Sequence, residues 1–136
     1  MSANYYGTQG QDNFSRLVAT IANGAAVSGA IPVRGLNIAS LTTPAAWTAA
    51  AITFQASTDD GATWSPVYAI DSTGAAAETT IPSAGIPTAA SRYFQIPAGT
   101  FDGASHIKIN SGTNAAGTNQ GAERQIALGV RRYGGL

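Results

Sequence analysis

The sequence predicts an all-β protein: one β-sandwich or jelly-roll-like domain of about seven or eight antiparallel strands, preceded by an extended arm. Short segments alternate apolar and polar residues, and no apolar pattern keeps a helical period over ten or more positions. Gly, Pro, Asn and Asp separate these segments at regular spacing. The 136 residues suit a single domain with a core of its own, and the chain has no cysteine for disulfides.

The chain divides into an arm (residues 1–13), a β-sandwich domain (14–132) and a short tail (133–136). The arm is polar and rich in Gly, Asn and Gln, with Tyr5 and Tyr6 within it. Such a segment is either a disordered tail or an arm that docks on a neighbouring subunit, with the tyrosines as anchors.

The first strands are marked by their turns. A strand ending at Ile21 is followed by Asn23-Gly24, a dipeptide favoured in tight hairpins. Pro32 makes the next strand an edge candidate, because proline has no N–H to donate. Gly35 lies where the inward-facing parity changes, which predicts a bulge or a corner.

Later strands are expected at 51–56, 65–70, 78–81, 92–96, 105–111 and 123–132. Pro66 again indicates an edge strand. Segment 105–111 is predicted to point Ile107 and Ile109 inward, and His106, Lys108 and Asn110 outward.

The segment Ser57-Thr58-Asp59-Asp60-Gly61-Ala62-Thr63-Trp64 predicts a β-hairpin with a fixed tip. Ser57 and Asp59 can bind turn N–H groups, Gly61 accepts a positive φ, and Trp64 can clamp the turn onto the sheet. The segment resembles the Asp-box of sialidases and related β-proteins, in which the box is a structural turn away from the catalytic centre. A six-bladed propeller at roughly 40 residues per blade does not fit this chain.

From this hairpin onward the chain resembles small β-sandwich structural proteins of tailed bacteriophages. The resemblance rests on stretches 52–61, 92–97, 101–104, 107–113 and 119–122. It implies a virion protein that decorates the capsid or lies in the neck or tail, and that contacts copies of itself, for instance as a trimer, and a major capsid protein or another virion protein. It implies no catalytic residue.

Charge and composition narrow the partners further. Seven basic and seven acidic residues cancel, and 10% of residues are charged, against a usual share of about 25%. A neutral chain argues against nucleic-acid binding, and no apolar stretch is long enough to span a membrane. The N-terminus lacks a signal-peptide pattern, so we expect synthesis in the host cytoplasm before incorporation into the virion. Besides the two tyrosines, Arg131 and Arg132 are candidate interface residues. They are either ordinary solvated charges or partners in intersubunit ion pairs.

Catalytic chemistry has little support in the sequence. His106 is the one histidine, no nucleophile elbow accompanies it, and Asp59 and Asp60 are better explained by the turn than by a glycosidase pair or a calcium site. We therefore expect no enzyme activity, cofactor or metal. The main function predicted is capsid decoration; a neck or tail component is the nearest variant, and a carbohydrate-binding module using Trp47, Trp64, Tyr68 or Tyr93 is the alternative.

Overall fold

A computed structural model describes residues 14–82 and 87–132 of the chain. Within these residues the protein contains strands and loops and no helix, which confirms the predicted all-β class. The predicted arm with Tyr5 and Tyr6 and the predicted tail lie outside the described residues. The strands are β1 (Phe14–Ile21), β2 (Ile31–Pro32), β3 (Leu36–Thr42), β4 (Ile52–Ser57), β5 (Ser65–Pro66), β6 (Tyr68–Ile70), β7 (Ala76–Glu78), β8 (Tyr93–Gln95), β9 (His106–Ser111) and β10 (Arg124–Arg132).

These ten strands exceed the seven or eight expected, because five of them have only two or three residues. They form three antiparallel sheets. The first sheet has the order β1-β10-β3-β8, the second has the order β2-β9-β4-β5, and β6 and β7 make a separate two-stranded hairpin. Pro32 and Pro66 lie in β2 and β5, the two edge strands of the second sheet, as predicted from their missing N–H groups.

The corner predicted at Gly35 is where the chain moves from one sheet to the other. Gly35 has φ of 76°, and the N–H of Leu36 donates to the carbonyl of Val33 at 3.0 Å. The strand before this turn belongs to the second sheet and the strand after it to the first. A residue with a Cβ is strained at this φ, which explains the glycine.

The buried apolar residues of both four-stranded sheets form one hydrophobic cluster. Its centre includes Phe54 and Phe101, whose rings pack edge to face with centroids 5.0 Å apart. The inward orientation predicted for Ile107 and Ile109 of β9 is confirmed, because both side chains are fully buried. The largest contributors from the first sheet are Ile21, Ile38, Leu41, Ile126, Leu128 and Val130, and those from the second are Ile31, Ile52, Phe54, Ile107 and Ile109.

The prediction that Asn110 faces solvent is wrong, because its side chain is 2% exposed. The side chain points away from the core, as the alternation of side chains along β9 requires, but the loop after β9 folds back over it. Its amide donates to Asn114 Oδ1 at 2.7 Å and to Thr53 Oγ1 at 3.3 Å. The outer face of the second sheet is therefore covered by a buried polar contact at this point.

The loop after β9 depends on Gly112. Its φ is 92°, and a Cβ on it would lie 2.7 Å from the carbonyl oxygen of Ala116 and from the amide nitrogen of Thr118. The N–H of Gly112 donates to the carbonyl of Ala51, and that of Thr118 to the carbonyl of Ser111, both at 2.7 Å. The loop thus closes around a position with no room for a side chain.

Candidate functional site

The predicted structural turn Ser57, Asp59, Gly61 and Trp64 is a single connected unit between β4 and β5. The Asp59 carboxylate accepts hydrogen bonds from Ser57 Oγ at 2.7 Å, from the N–H of Thr63 at 2.9 Å and from Thr63 Oγ1 at 2.6 Å. Ser57 Oγ in turn accepts the N–H of Gly61 at 2.8 Å. These bonds, Thr63 Oγ1 first, lower the pKa of Asp59 to about 2.

The backbone and the tryptophan complete this turn. Gly61 has φ of 90°, and its carbonyl accepts the indole N–H of Trp64 at 3.1 Å. Lys108 Nζ lies 4.4 Å from the centroid of the Trp64 ring, a cation–π contact that connects the turn to β9. Trp64 is therefore held from both sides, by the turn and by the sheet.

Sequence reasoning missed Ser105, which fastens the turn to the strand beside it. Both the N–H and the Oγ of Ser105 donate to the carbonyl of Ser57, at 2.8 and 3.1 Å. The same Oγ accepts the N–H of Asp60 at 3.0 Å. No local pattern signals this role, because Ser105 is 45 residues from Asp60.

A second aspartate turn joins β6 to β7 and was also missed. Asp71 Oδ1 accepts the N–H of Thr73 at 2.8 Å, Thr73 Oγ1 at 2.6 Å and the N–H of Ala75 at 3.0 Å. The Thr73 hydroxyl, followed by the backbone amides, lowers the pKa of Asp71. The signal was present in the sequence as Asp71-Ser72-Thr73-Gly74, with Gly74 at φ of 86°.

The ionisable residues considered for catalysis have structural partners. His106 Nδ1 lies 3.1 Å from Ser105 Oγ, but that serine is 3% exposed and its hydroxyl is used by the turn. The carboxylate of Asp60 pairs with the Arg34 guanidinium at 2.7 Å. In residues 14–82 and 87–132, no group of three or more His, Cys, Asp or Glu is placed to hold a metal ion.

Arg131 and Arg132, the two arginines proposed as interface residues, lie at the end of β10 in the first sheet, away from the turn at Asp59. Both are exposed. The guanidinium of Arg131 lies 4.9 Å from the centroid of the Phe14 ring, across the β1–β10 pair. The structure therefore does not join these arginines to the turn residues, and Tyr5 and Tyr6 lie outside the part that it describes.

The described residues form a groove of about 680 Å³, which we call the apolar groove. It lies between the β6–β7 hairpin, the segment 79–82, strand β8 and the turn 97–100. Phe54 and Ile96 contribute core side chains to it, and Tyr68 and Phe94 line it. Glu78 is the one charged residue among its described lining residues, and its carboxylate already accepts the N–H of Asn114 at 2.9 Å and the Asn114 side-chain amide.

Large apolar side chains remain exposed around this groove. Tyr68 is 59% exposed, Ile70 on the same hairpin is 74% exposed, and Tyr93 on β8 is 64% exposed. Of the other aromatic residues proposed to stack on sugars, Trp47 is buried in the core and Trp64 is held in the turn. Only the two tyrosines among these four are free to meet a ligand from solvent.

No protein-family model, curated protein or solved structure matches the chain. None of the residues that the structure describes forms a helix long and apolar enough to cross a membrane.

Proposed function

We propose that this chain is a non-enzymatic structural protein of a tailed-phage virion, which decorates and cements the capsid shell through contacts with its own copies and with a major capsid protein. The observation that carries the proposal is the exposed apolar surface of the β6–β7 hairpin, where Tyr68 is 59% and Ile70 74% exposed. The assignment to a phage rests on the strand and turn segments that resemble phage structural proteins.

The proposal includes the way in which the two four-stranded sheets pack together. Because both four-stranded sheets contribute to one hydrophobic cluster, we infer that they face each other as a β-sandwich. The crossing at Gly35 supports this arrangement. Such a rigid body presents its short hairpin and its edge strands outward, where they can meet neighbours.

The exposed hairpin favours a role in contact. Strands β6 and β7 belong to neither larger sheet, and their hairpin carries the exposed side chains of Tyr68 and Ile70. Contiguous exposed apolar surface in a soluble chain marks an interaction site, and the centres of interfaces are poor in charge. Each copy would add only modest affinity, and many copies on a lattice would sum to substantial stabilisation of the shell.

The polar contacts support a role without turnover. The hydroxyl of Ser105 donates to the carbonyl of Ser57, and the carboxylates of Asp59 and Asp71 accept hydrogen bonds from amides and hydroxyls of their own turns. An activated nucleophile needs a hydroxyl that is open to substrate beside its base, and the hydroxyl beside His106 belongs to Ser105, which is 3% exposed.

The test is to purify particles of a phage whose genome encodes this chain and to measure the copy number of the chain relative to the major capsid protein by quantitative mass spectrometry. Decoration predicts a copy number comparable to that of the shell subunits; a neck or tail component predicts few copies, and labelling at one vertex. Stripped particles should rebind the unaltered chain and the Gln125→Lys control, and rebind Ile70→Lys much more weakly. Absence of the chain from purified particles would contradict the proposal.

A carbohydrate-binding module is the second candidate, and the exposure of Tyr68 and Tyr93 favours it. Aromatic rings open to solvent can stack on sugar rings. This function predicts that the chain binds an immobilised polysaccharide as a monomer, and that Tyr68→Ala and Tyr93→Ala each weaken that binding. Retention unchanged by both substitutions would exclude these rings as the sugar site.

A further inference from the structure

Strand β8 has an open edge that borders the apolar groove. The carbonyl of Arg92 accepts the N–H of Thr43, and the N–H of Ile96 donates to the carbonyl of Ala39, both at 2.9 Å, so these residues bond toward β3. In an antiparallel pair successive residues bond to alternate sides. The N–H and carbonyl groups of Tyr93 and Gln95 therefore point away from β3, and they have no partner among the described residues.

An edge of this kind is a template for an added strand. Unpaired N–H and carbonyl groups bind an extended segment through main-chain hydrogen bonds, and adjacent pockets take alternate side chains. Here the pocket is the apolar groove, whose lining includes Gln95 of the open edge together with Phe54, Ile81 and Ile96. The site fits an uncharged extended segment that carries an aromatic residue.

The chain's own N-terminus has that composition and begins within reach. Residues 1–13 contain one charged residue, Asp12, and no proline. Phe14 opposes Arg131, which opposes Asn37, so these three residues lie at one end of the first sheet. The side chain of Asn37 accepts the N–H of Gly99 at 3.4 Å, and Gly99 lines the groove.

The distances permit docking within one molecule. From β1 to β8 the sheet spans three strand spacings, about 14 Å. Tyr5 precedes Phe14 by nine residues, and nine extended residues reach about 30 Å. The segment can thus cross the end of the sheet and still place Tyr5 and Tyr6 beside β8.

We propose that the apolar groove binds the chain's own N-terminal segment, residues 1–13, as an extended strand along the open edge of β8. Successive side chains of a strand point to opposite faces. One of Tyr5 and Tyr6 therefore fills the groove, and the other points to the opposite face of the added strand. This inference concerns the isolated chain and does not depend on the proposed role in a virion.

Because the chain has no cysteine, engineered pairs can test the docking in the full-length protein. Gly7→Cys is combined with Gln95→Cys at the groove or, as the control, with Gln125→Cys, an exposed position at the opposite end of the first sheet. A third variant adds Tyr5→Ser and Tyr6→Ser to the groove pair. Intramolecular disulfide formation under mild oxidation is followed by mass spectrometry, and circular dichroism checks that each variant is folded.

Docking predicts that the groove pair forms an intramolecular disulfide about ten times faster than the control pair, since burial of one aromatic side chain is worth at least that factor. Removal of both tyrosines should reduce the rate to that of the control. Equal rates in all three variants would show proximity without docking and overturn the proposal. Disulfide-linked dimers as the main product of the groove pair would overturn it as well, because the occupant would then come from a second copy.

Discussion

Replacing Gly112 with alanine should destabilise the fold by about 3 kcal/mol. The left-handed φ of 92° costs a residue with a Cβ about 1–3 kcal/mol. The new Cβ would also lie 2.7 Å from two backbone atoms, those of Ala116 and Thr118, and relieving such overpacking costs about 1–3 kcal/mol more. Reduced freedom of the unfolded chain offsets about 0.4–1 kcal/mol of this.

Gly24→Ala is the matched control for the backbone contribution. Gly24 has φ of 78°, and a Cβ there would meet no atom within 4 Å. Its substitution carries the strain of a left-handed residue without the collision, so we expect a loss of about 1 kcal/mol. The difference between the two variants isolates the close approach of the loop backbone to Gly112.

Urea unfolding followed by the fluorescence of Trp47 and Trp64 measures both losses. With a denaturant slope of about 2 kcal/mol per molar, the midpoint should fall by about 1.5 M for Gly112→Ala and by about 0.5 M for Gly24→Ala. Equal shifts for the two variants would refute the reasoning, because the loop would then have space for a methyl group at residue 112.

Three further outcomes are expected. The pKa of Asp59 is about 2 in the folded chain against an ordinary value of 3.8, so the stabilising contribution of this carboxylate is present above about pH 4 and is lost as the pH falls toward 2. The Asp59→Asn variant should therefore lose less stability between pH 5 and pH 2.5 than the unaltered chain. An identical loss would contradict this. Phe54→Ala should cost about 3–5 kcal/mol in urea unfolding, whereas Tyr93→Ala should stay within about 0.5 kcal/mol, and comparable losses would be inconsistent with the packing. Ile70→Ser should leave the thermal midpoint almost unchanged and reduce self-association in sedimentation velocity; unchanged association would exclude the hairpin from the contact.

The parts of the fold predictable from sequence are those set by local geometry. The alternation of Ile107 and Ile109 fixes which face of β9 is inward, because side chains of a strand alternate whatever the neighbouring strands are. Pro32 and Pro66 predict sheet edges through a missing donor, and Gly35 predicts the corner through its permitted φ. Each of these inferences needs only the residue and its nearest neighbours in the chain.

The parts that sequence could not give depend on distant segments. Asn110 is buried because a loop that follows β9 covers it, and outward parity alone cannot show that. Ser105 supports the turn at Asp60 through contacts between segments far apart in the chain. The apolar groove is assembled from β4, the β6–β7 hairpin, β8 and the turn 97–100, so it exists only once the strand order is known.

The hydrogen bonds between Ser105 and the turn at Asp59 affect how a partner can bind this turn. A surface tip is ordinarily mobile, and a partner must pay the entropy of ordering it on contact. Here the tip is held from within by the hydrogen bonds of Asp59 and from the neighbouring segment by Ser105 Oγ, which accepts the N–H of Asp60, so the backbone at Asp60 is held in place. A partner that binds this turn therefore contacts a preorganised backbone, and binding costs little conformational entropy.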